Sequence, residues 1–598
     1  MVFALGVAPA VFAPPLYDDF TLAKQSALLV GAALLLLGMA ASPEAFPRRR
    51  IVRYAFGALV AWTTFAWLMG EDPLGGTLGV YQYRQGYLTE LAYFAIFLGG
   101  VATVRMGLTR LAVAAVGAGF VAATAYTAVQ SAGADPVHWW TDTSGRAIGT
   151  IGNANELASY ALVALAFLGL ASPGGGRRRA LVLTCAGAAA CFVILEAESR
   201  SGLLSLAIAV ACIPAAAELA RGGRREAWRE AGLVAGGCAL GLGLSLAAGG
   251  ASATLDRVES GGRLRTLTLA EGEGSLDTAG EGAPTVEQDV GVSTRFALWE
   301  GALPSLLAAP VWGSGPDGLF LSFPKHRQEQ LGGAFEAYDL TVQSSHNLIL
   351  DTATNTGLVG LALSALLTIA VGVRSLRMRE HRMAGSHVAW GVIAGYLAIT
   401  MLNPLSLAAQ ATFCALLGVM EGHTQAGLPA PRRAEARWAK QLGWAAAALI
   451  LAVVAIVQPL ADVRADDAWG AYAAGDFRGA AASYETAAEL MPLSRDYSRR
   501  AAVAWLQAGD LEAAERALVR FDSRFGAASN EVFDLAAVRI ALGRPAAETL
   551  PLIERGEALN PHGLGVEAYA AGLREATASG AVEIGFSPWY DRASLTPR

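Results

Sequence analysis

Charge is scarce in this chain. Asp, Glu, Lys and Arg together make up 16% of its 598 residues, apolar types make up 54%, and the mean hydropathy is +0.40. That balance excludes an ordinary soluble enzyme and points to membrane helices. Cysteine is also sparse. The five residues Cys185, Cys191, Cys212, Cys238 and Cys414 all lie inside apolar runs, which excludes a disulfide framework and leaves them as small packing groups. There are only seven histidines, and neither His138 nor His326 has a His or Cys neighbour at ligand spacing, so no metal and no cofactor are expected. The Gly-rich stretch VWGSGPDGLFLSF lacks the lysine and the strand-to-helix setting of a nucleotide phosphate loop.

What is present is a series of apolar runs. Thirteen candidate spans cover 1–13, 22–41, 51–70, 88–106, 109–130, 155–172, 179–197, 201–220, 228–249, 347–373, 385–402, 405–421 and 439–460. The first is short and ends at Pro14-Pro15, and no basic segment precedes it as a signal peptide would require. Basic residues fall in alternate connections: Arg48-Arg49-Arg50, Arg105 and Arg110, Arg177-Arg178-Arg179, Arg224-Arg225, Arg374 to Arg382, and Arg432-Arg433. The positive-inside rule puts all six in the cytoplasm, with the loop 250–345 and everything after residue 460 outside. Within that loop, the acidic, Gly-rich stretch 271–292 reads as flexible.

After residue 460 the chain turns alanine-rich and amphipathic. Gly475, Gly509 and Gly543 recur 34 residues apart, a period that resembles tetratricopeptide helical hairpins. The domain plan is therefore a membrane domain over 1–460, helical repeats over 461–575 and a tail over 576–598. The repeats read either as a protein- or glycan-binding groove, with an envelope protein as a possible partner, or as a rigid cap on the membrane domain.

Ionisable residues avoid the middle of the spans. Glu90, Glu156, Glu196, Glu198, Arg200 and Asp351 fall near the outer ends, and Arg84 and Arg295 lie in outer loops. A transporter would instead carry polar groups through the bilayer. This distribution suits chemistry on a lipid-borne substrate whose headgroup lies outside. His346 and Asn347, in SSHNLILD, stand at the mouth of a long apolar run on that same side.

Five stretches occur in order: IGNANELASY at 151–160, ESRSGLL at 198–204, STRFALWEGAL at 293–303, WGSGPDGLF at 312–320 and SSHNLILDTATNTGLVG at 344–360. Together they resemble the O-antigen ligase and polymerase superfamily of bacterial membrane glycosyltransferases, over nearly all of residues 1–460. Ala154 stands where relatives often carry proline. The resemblance implies an all-α, polytopic bundle of about 12–13 spans of the broad GT-C type. It also implies a multi-pass protein of the bacterial cytoplasmic (inner) membrane. The donor would be a glycan on undecaprenyl pyrophosphate, the acceptor a hydroxyl on a glycan, lipid or protein, and no metal would be needed.

Arginine suits the departing pyrophosphate because it stays charged and grips phosphate oxygens bidentately. Arg200, Arg295 and Arg84 are the candidates. His346 is the candidate base, since an unperturbed imidazole accepts a proton near neutral pH. Asn347, Asn153, Asn155, Glu156 and Glu198 are candidate lining groups, with Glu156 and Glu198 as second-choice bases. Asn153 and Asn155 could equally cap the helix beginning near Glu156. Direct attack without a covalent intermediate would invert the anomeric carbon. Competing readings are a protein O-oligosaccharyltransferase, a lipid-linked sugar flippase, and a scaffold for the repeats. No nucleic-acid partner is expected.

Overall fold

A computed structural model describes residues 1–579 except 15, 19, 42–45, 138–145, 172–175, 221–222, 249–291, 330–341, 378–385, 426–436, 527 and 564. The Gly-rich segment 271–291, His138, Arg379, Arg382, Arg432, Arg433 and the tail from 580 lie outside the described residues. Those described are helical throughout, with no strand among them. In chain order the helices are α1 (Val2–Val7), α2 (Thr21–Ala41), α3 (Arg50–Met69), α4 (Gly75–Leu78), α5 (Tyr87–Arg105), α6 (Thr109–Ser131), α7 (Ala154–Ala171), α8 (Arg177–Glu196), α9 (Arg200–Ala220) and α10 (Arg224–Ala248). There follow α11 (Val292–Ala308), α12 (Leu319–His326), α13 (Leu348–Leu376), α14 (Ser386–Thr400), α15 (Leu407–Thr424) and α16 (Arg437–Ala473). The last six are α17 (Phe477–Leu490), α18 (Arg495–Gln507), α19 (Leu511–Phe525), α20 (Ser529–Ala541), α21 (Ala546–Leu559) and α22 (Val566–Ser579).

Nine of these helices are long and apolar enough to cross a membrane: α2, α3, α5, α6, α8, α9, α10, α13 and α16. The shorter apolar helices α7 and α14, with α15 packed against α5 and α7, complete a bundle of twelve among the described residues. Their bounds follow the apolar runs closely, because about 20 residues at 1.5 Å each match the hydrocarbon core. The first expected span is corrected: only the six residues Val2–Val7 are helical, far short of a helical crossing. The segment nonetheless runs through the bundle. Met1 meets Thr103 near the end of α5, and the Phe12 ring lies 5.1 Å from that of Tyr126 at the far end of α6.

With lipid outside, the helices associate through close packing of small residues rather than by expulsion of water. Gly100 of α5 faces Ala415 and Gly418 of α15 across a gap too small for a side chain, and α9 meets α14 the same way at Gly391 and Gly395.

The basic connections share one end of the bundle. There Arg49 pairs with Glu421 at 2.9 Å, the Arg48 backbone N–H donates to Gln425 at 2.9 Å, Arg105 also meets Gln425, and Arg179 pairs with Glu230 at 2.6 Å. The remaining polar connections converge at the other end. A cysteine introduced beside Arg178 and one introduced at Ser498 of the repeats, each in a background freed of native cysteines, should therefore label oppositely. In intact cells with a permeabilised outer envelope, Ser498→Cys should react with an impermeant maleimide and Arg178→Cys should not. The reverse pattern would invert the orientation.

Helix α13 is broken once, at Gly357 (φ 70°, ψ 178°). The turn after α11 docks into the break: Leu358 N–H donates to Pro310 O at 2.8 Å, Ser314 N–H to Thr354 O at 2.7 Å and Gly315 N–H to Asn355 O at 3.1 Å. The part beyond the break is still about 28 Å long and suffices to cross. The part before it, 348–356, is thereby set independently at the polar end.

Helix α16 runs 37 residues without interruption from the last span into the first hairpin of the repeats. Gly475, Gly509 and Gly543 occupy equivalent turns between α16 and α17, α18 and α19, and α20 and α21, each with positive φ. Successive helices pack on one another, so the 34-residue period is one hairpin. The repeats also dock on the membrane domain. Arg495 pairs with Asp72 at 3.1 Å, Arg327 donates to Asn560 at 2.7 Å, and Asp462 accepts from Tyr497 at 2.6 Å and from Tyr81.

Candidate active site

The polar end is built from connections, not from helix faces. Four described non-glycine residues have left-handed backbone: Arg84 (φ 51°), Glu198 (46°), Asp317 (53°) and His346 (55°). All four sit in these connections. Such residues cost about 1–3 kcal/mol each and persist where the surroundings hold them, commonly at functional sites.

The SSHN stretch is tied to itself. Asp351, one turn into α13, accepts from Ser344 Oγ, Ser345 N and Ser345 Oγ, each at 2.7 Å. Ser344 Oγ in turn accepts from His346 N at 3.0 Å. Asn347 caps α13, its Oδ1 accepting from Ile349 N at 3.0 Å and Leu350 N at 3.2 Å, a bond set worth about 1 kcal/mol. Asn347 Nδ2 reaches Met401 O at 3.4 Å, joining this loop to the α14–α15 connection. The His346 side chain is half-buried between them. Burial, with the Arg295 guanidinium nearby, pushes its pKa down to about 4. The ring is therefore neutral at pH 7 and open to accept a proton or hydrogen bond, but less basic than a free imidazole.

Arg295, near the start of α11, donates to Asn403 Oδ1 at 3.4 Å. Asn403 is 1% exposed and its Nδ2 donates to Ser201 Oγ at 3.0 Å and Ile399 O at 2.9 Å. Ser201 Oγ lies 3.3 Å from Ser199 Oγ, which donates to Asn155 Oδ1 at 3.0 Å. The same Asn155 oxygen accepts from Arg146 at 2.9 Å. One chain of bonds thus joins IGNANEL, ESRSG, the arginine of STRF and the α14–α15 connection. Arg200 sits between the two serines at the exposed start of α9.

On the other side of that connection is a small pocket, with room for about one water molecule, lined by Thr21, Lys24, Gln82, Tyr83, Ile151, Glu156, Leu405 and Leu407. Lys24 is held by Val11 O at 3.1 Å and Phe20 O at 3.2 Å. The chain reaches Glu156 because Asn153 caps α7, its Oδ1 accepting from Asn155 N at 2.9 Å and Glu156 N at 3.2 Å. Burial, reinforced by the carboxylates of Glu156, Asp351 and Asp317, keeps the Tyr83 phenol protonated. Asp317 holds the 79–86 loop in place, accepting from Val80 N at 3.0 Å and Gln85 N at 2.9 Å, and burial pushes its carboxyl up to about 7.

The structure thus brings His346, Asn347, Arg295, Arg200, Asn155 and Glu156 to one end, with Glu198 buried beside Ser199. It places Asn153 and Asn347 as helix caps. Arg84 stands apart: it is 2% exposed, donates to Asp18 at 2.8 Å and lies over the Tyr81 ring, so it supports the loop rather than opening onto the site. Sequence reasoning missed Asn403, Arg146, Lys24 and Asp317. Only Asp317 carried a local signal, the Gly-Pro-Asp-Gly turn.

Residues 180–365 match a family model described as O-antigen ligase. Over this segment, about a third of the chain, the protein is similar to the O-antigen ligase family. No curated protein matches it. The matched segment runs from α8 into α13 and contains Arg200, Arg295, the docked turn, His346 and Gly357. It stops short of Asn403 and begins after Asn155, so the hydrogen-bonded chain joins the family segment to flanking parts of the bundle. The family description and the apolar helices both point to a multi-pass membrane protein of the ligase kind.

Proposed function

We propose that this protein transfers a glycan from undecaprenyl pyrophosphate to an acceptor hydroxyl, at the outer face of a bacterial cytoplasmic membrane. The observation that carries this reading is the chain of hydrogen bonds that ties Arg295, through Asn403, Ser201 and Ser199, to Asn155 at the end of the bundle that also holds His346. Arg295 and the exposed Arg200 hold the pyrophosphate, and their charge stabilises the departing group in a water-poor setting. His346 accepts the proton of the acceptor hydroxyl as that oxygen attacks the anomeric carbon. The carbon–phosphate-oxygen bond breaks, the electron pair leaves on the pyrophosphate, and the imidazolium returns its proton to that phosphate or to water. A single displacement inverts the anomeric configuration.

Donor binding adjusts the base. Pyrophosphate anions beside Arg295 offset its positive charge and so raise the His346 pKa in the complex. Lys24 and Glu156 line a small pocket across the α14–α15 connection from His346, and they offer polar contacts to an acceptor at its mouth. The repeats, docked through Arg495, Arg327 and Asp462, form a tetratricopeptide-like cap over this end.

The test is transfer in nanodiscs from lipid-linked donor to acceptor, in excess chelator. Product should form without added cation, because the arginines supply the charge. Arg295→Ala should weaken donor binding and rate together. Arg295→Lys should rescue neither fully, since a point charge lacks the planar fork. Activity that disappears in chelator and returns with magnesium, or donor binding untouched by Arg295→Ala, would overturn the reading.

A further inference from the structure

We infer that Asn403 is the positioning residue that aims Arg295 at the pyrophosphate, through a hydrogen-bonded chain whose direction is fixed along its length. This rests on the assignment of Arg295 to the pyrophosphate. A guanidinium only donates, so Arg295 at 3.4 Å requires the Asn403 amide oxygen to face it. Both amide hydrogens are then spoken for, by Ser201 Oγ at 3.0 Å and Ile399 O at 2.9 Å.

The far end is fixed in the same way. Arg146 also only donates, so the Asn155 oxygen faces it, and that oxygen takes the Ser199 hydroxyl proton at 3.0 Å. Ser199 Oγ accepts from Gly202 N at 3.1 Å, which leaves the Ser201 proton to point at Ser199. Asn403, Ser201 and Ser199 are 1%, 9% and 1% exposed, so water competes little for these bonds. Flipping the Asn403 amide would set two donors against Arg295 and leave a buried hydroxyl without its donor. The acceptor offered to Arg295 is neutral. It orients the guanidinium without itself cancelling the positive charge. A carboxylate in the same place would hold the arginine equally well and also compete with phosphate.

The experiment measures binding of undecaprenyl pyrophosphate to the full-length protein in nanodiscs, for wild type, Arg295→Ala, Asn403→Asp and the double variant. Arg295→Ala and Asn403→Asp should each weaken binding by about tenfold or more, and the double variant should bind no worse than Arg295→Ala. Such non-additivity marks an effect routed through Arg295, where a general packing defect would multiply with it. Normal binding by Asn403→Asp, or effects that multiply, would overturn the inference and leave Arg295 in its assigned role. Normal binding by Arg295→Ala would overturn that assignment itself. If Asn403→Asp does not purify as a single folded species, Ser201→Ala replaces it. That variant removes the acceptor that holds the amide, and should weaken binding by about threefold in wild type and not at all beside Arg295→Ala.

Discussion

His346→Ala should lower single-turnover transfer by about 10²-fold or more while protein yield and donor binding stay near normal. A base acts on the acceptor proton in the transition state, so its loss falls on the chemical step rather than on the donor complex. His346→Gln separates two versions of the role. Glutamine can orient a hydroxyl but cannot take its proton, so partial recovery would mark orientation and no recovery would mark proton transfer. The pH profile has a stated sign. Free protein carries a His346 pKa lowered to about 4 by burial and by Arg295, and pyrophosphate offsets that arginine. The acid limb of kcat, set by the donor complex, should therefore lie at higher pH than the acid limb of kcat/KM. Near-normal transfer by His346→Ala would remove it from the mechanism and make Glu156, in the adjoining pocket, the next base to test.

Gly357→Ala should cost most of the folded protein. At φ 70° and ψ 178° the backbone is in a region essentially reserved for glycine, and an added Cβ would stand 1.9 Å from Val311 O and 2.6 Å from Trp312 N. Backbone strain and overpacking each cost about 1–3 kcal/mol, against a typical total stability of about 5–15 kcal/mol. Relief requires the docked turn to move off α13, which would carry Asp351 and the SSHN loop with it. The expected result is a lowered unfolding temperature, a reduced monodisperse fraction, and loss of transfer in what remains. Gly38→Ala is the control, since nothing lies within 4 Å of a Cβ there. Equal stability of the two variants would show that the break is not required.

Much of the fold was legible because its controls are local. Apolar length alone placed α2, α3, α5 through α10 and α13 through α15 to within a few residues, and a glycine every 34 residues marked the hairpin turns. The site was legible by residue type: arginine and histidine are rare enough at that end of the spans to stand out. What stayed hidden was pairing at long range. Arg84 read as a phosphate ligand because its partner Asp18 lies 66 positions away. Asn403 gave no sign, because an asparagine before a proline in a short connection reads as a turn, and its partners come from α9 and α11. Lys24 read as part of a span, since the carbonyls that hold it belong to chain on either side of the Pro14-Pro15 turn.

The uninterrupted α16 also sets a geometry of presentation. A helix of 37 residues, with Pro459 inside it, runs about 55 Å along its path. Anything seated on the repeats is therefore held at one height and one azimuth above the membrane, not swung on a tether. Along such a helix, each residue added near 460 would turn the repeats by about 100° and lift them by about 1.5 Å. The sequence of α16 is thus a ruler as well as an anchor: its length sets where the repeats stand relative to His346.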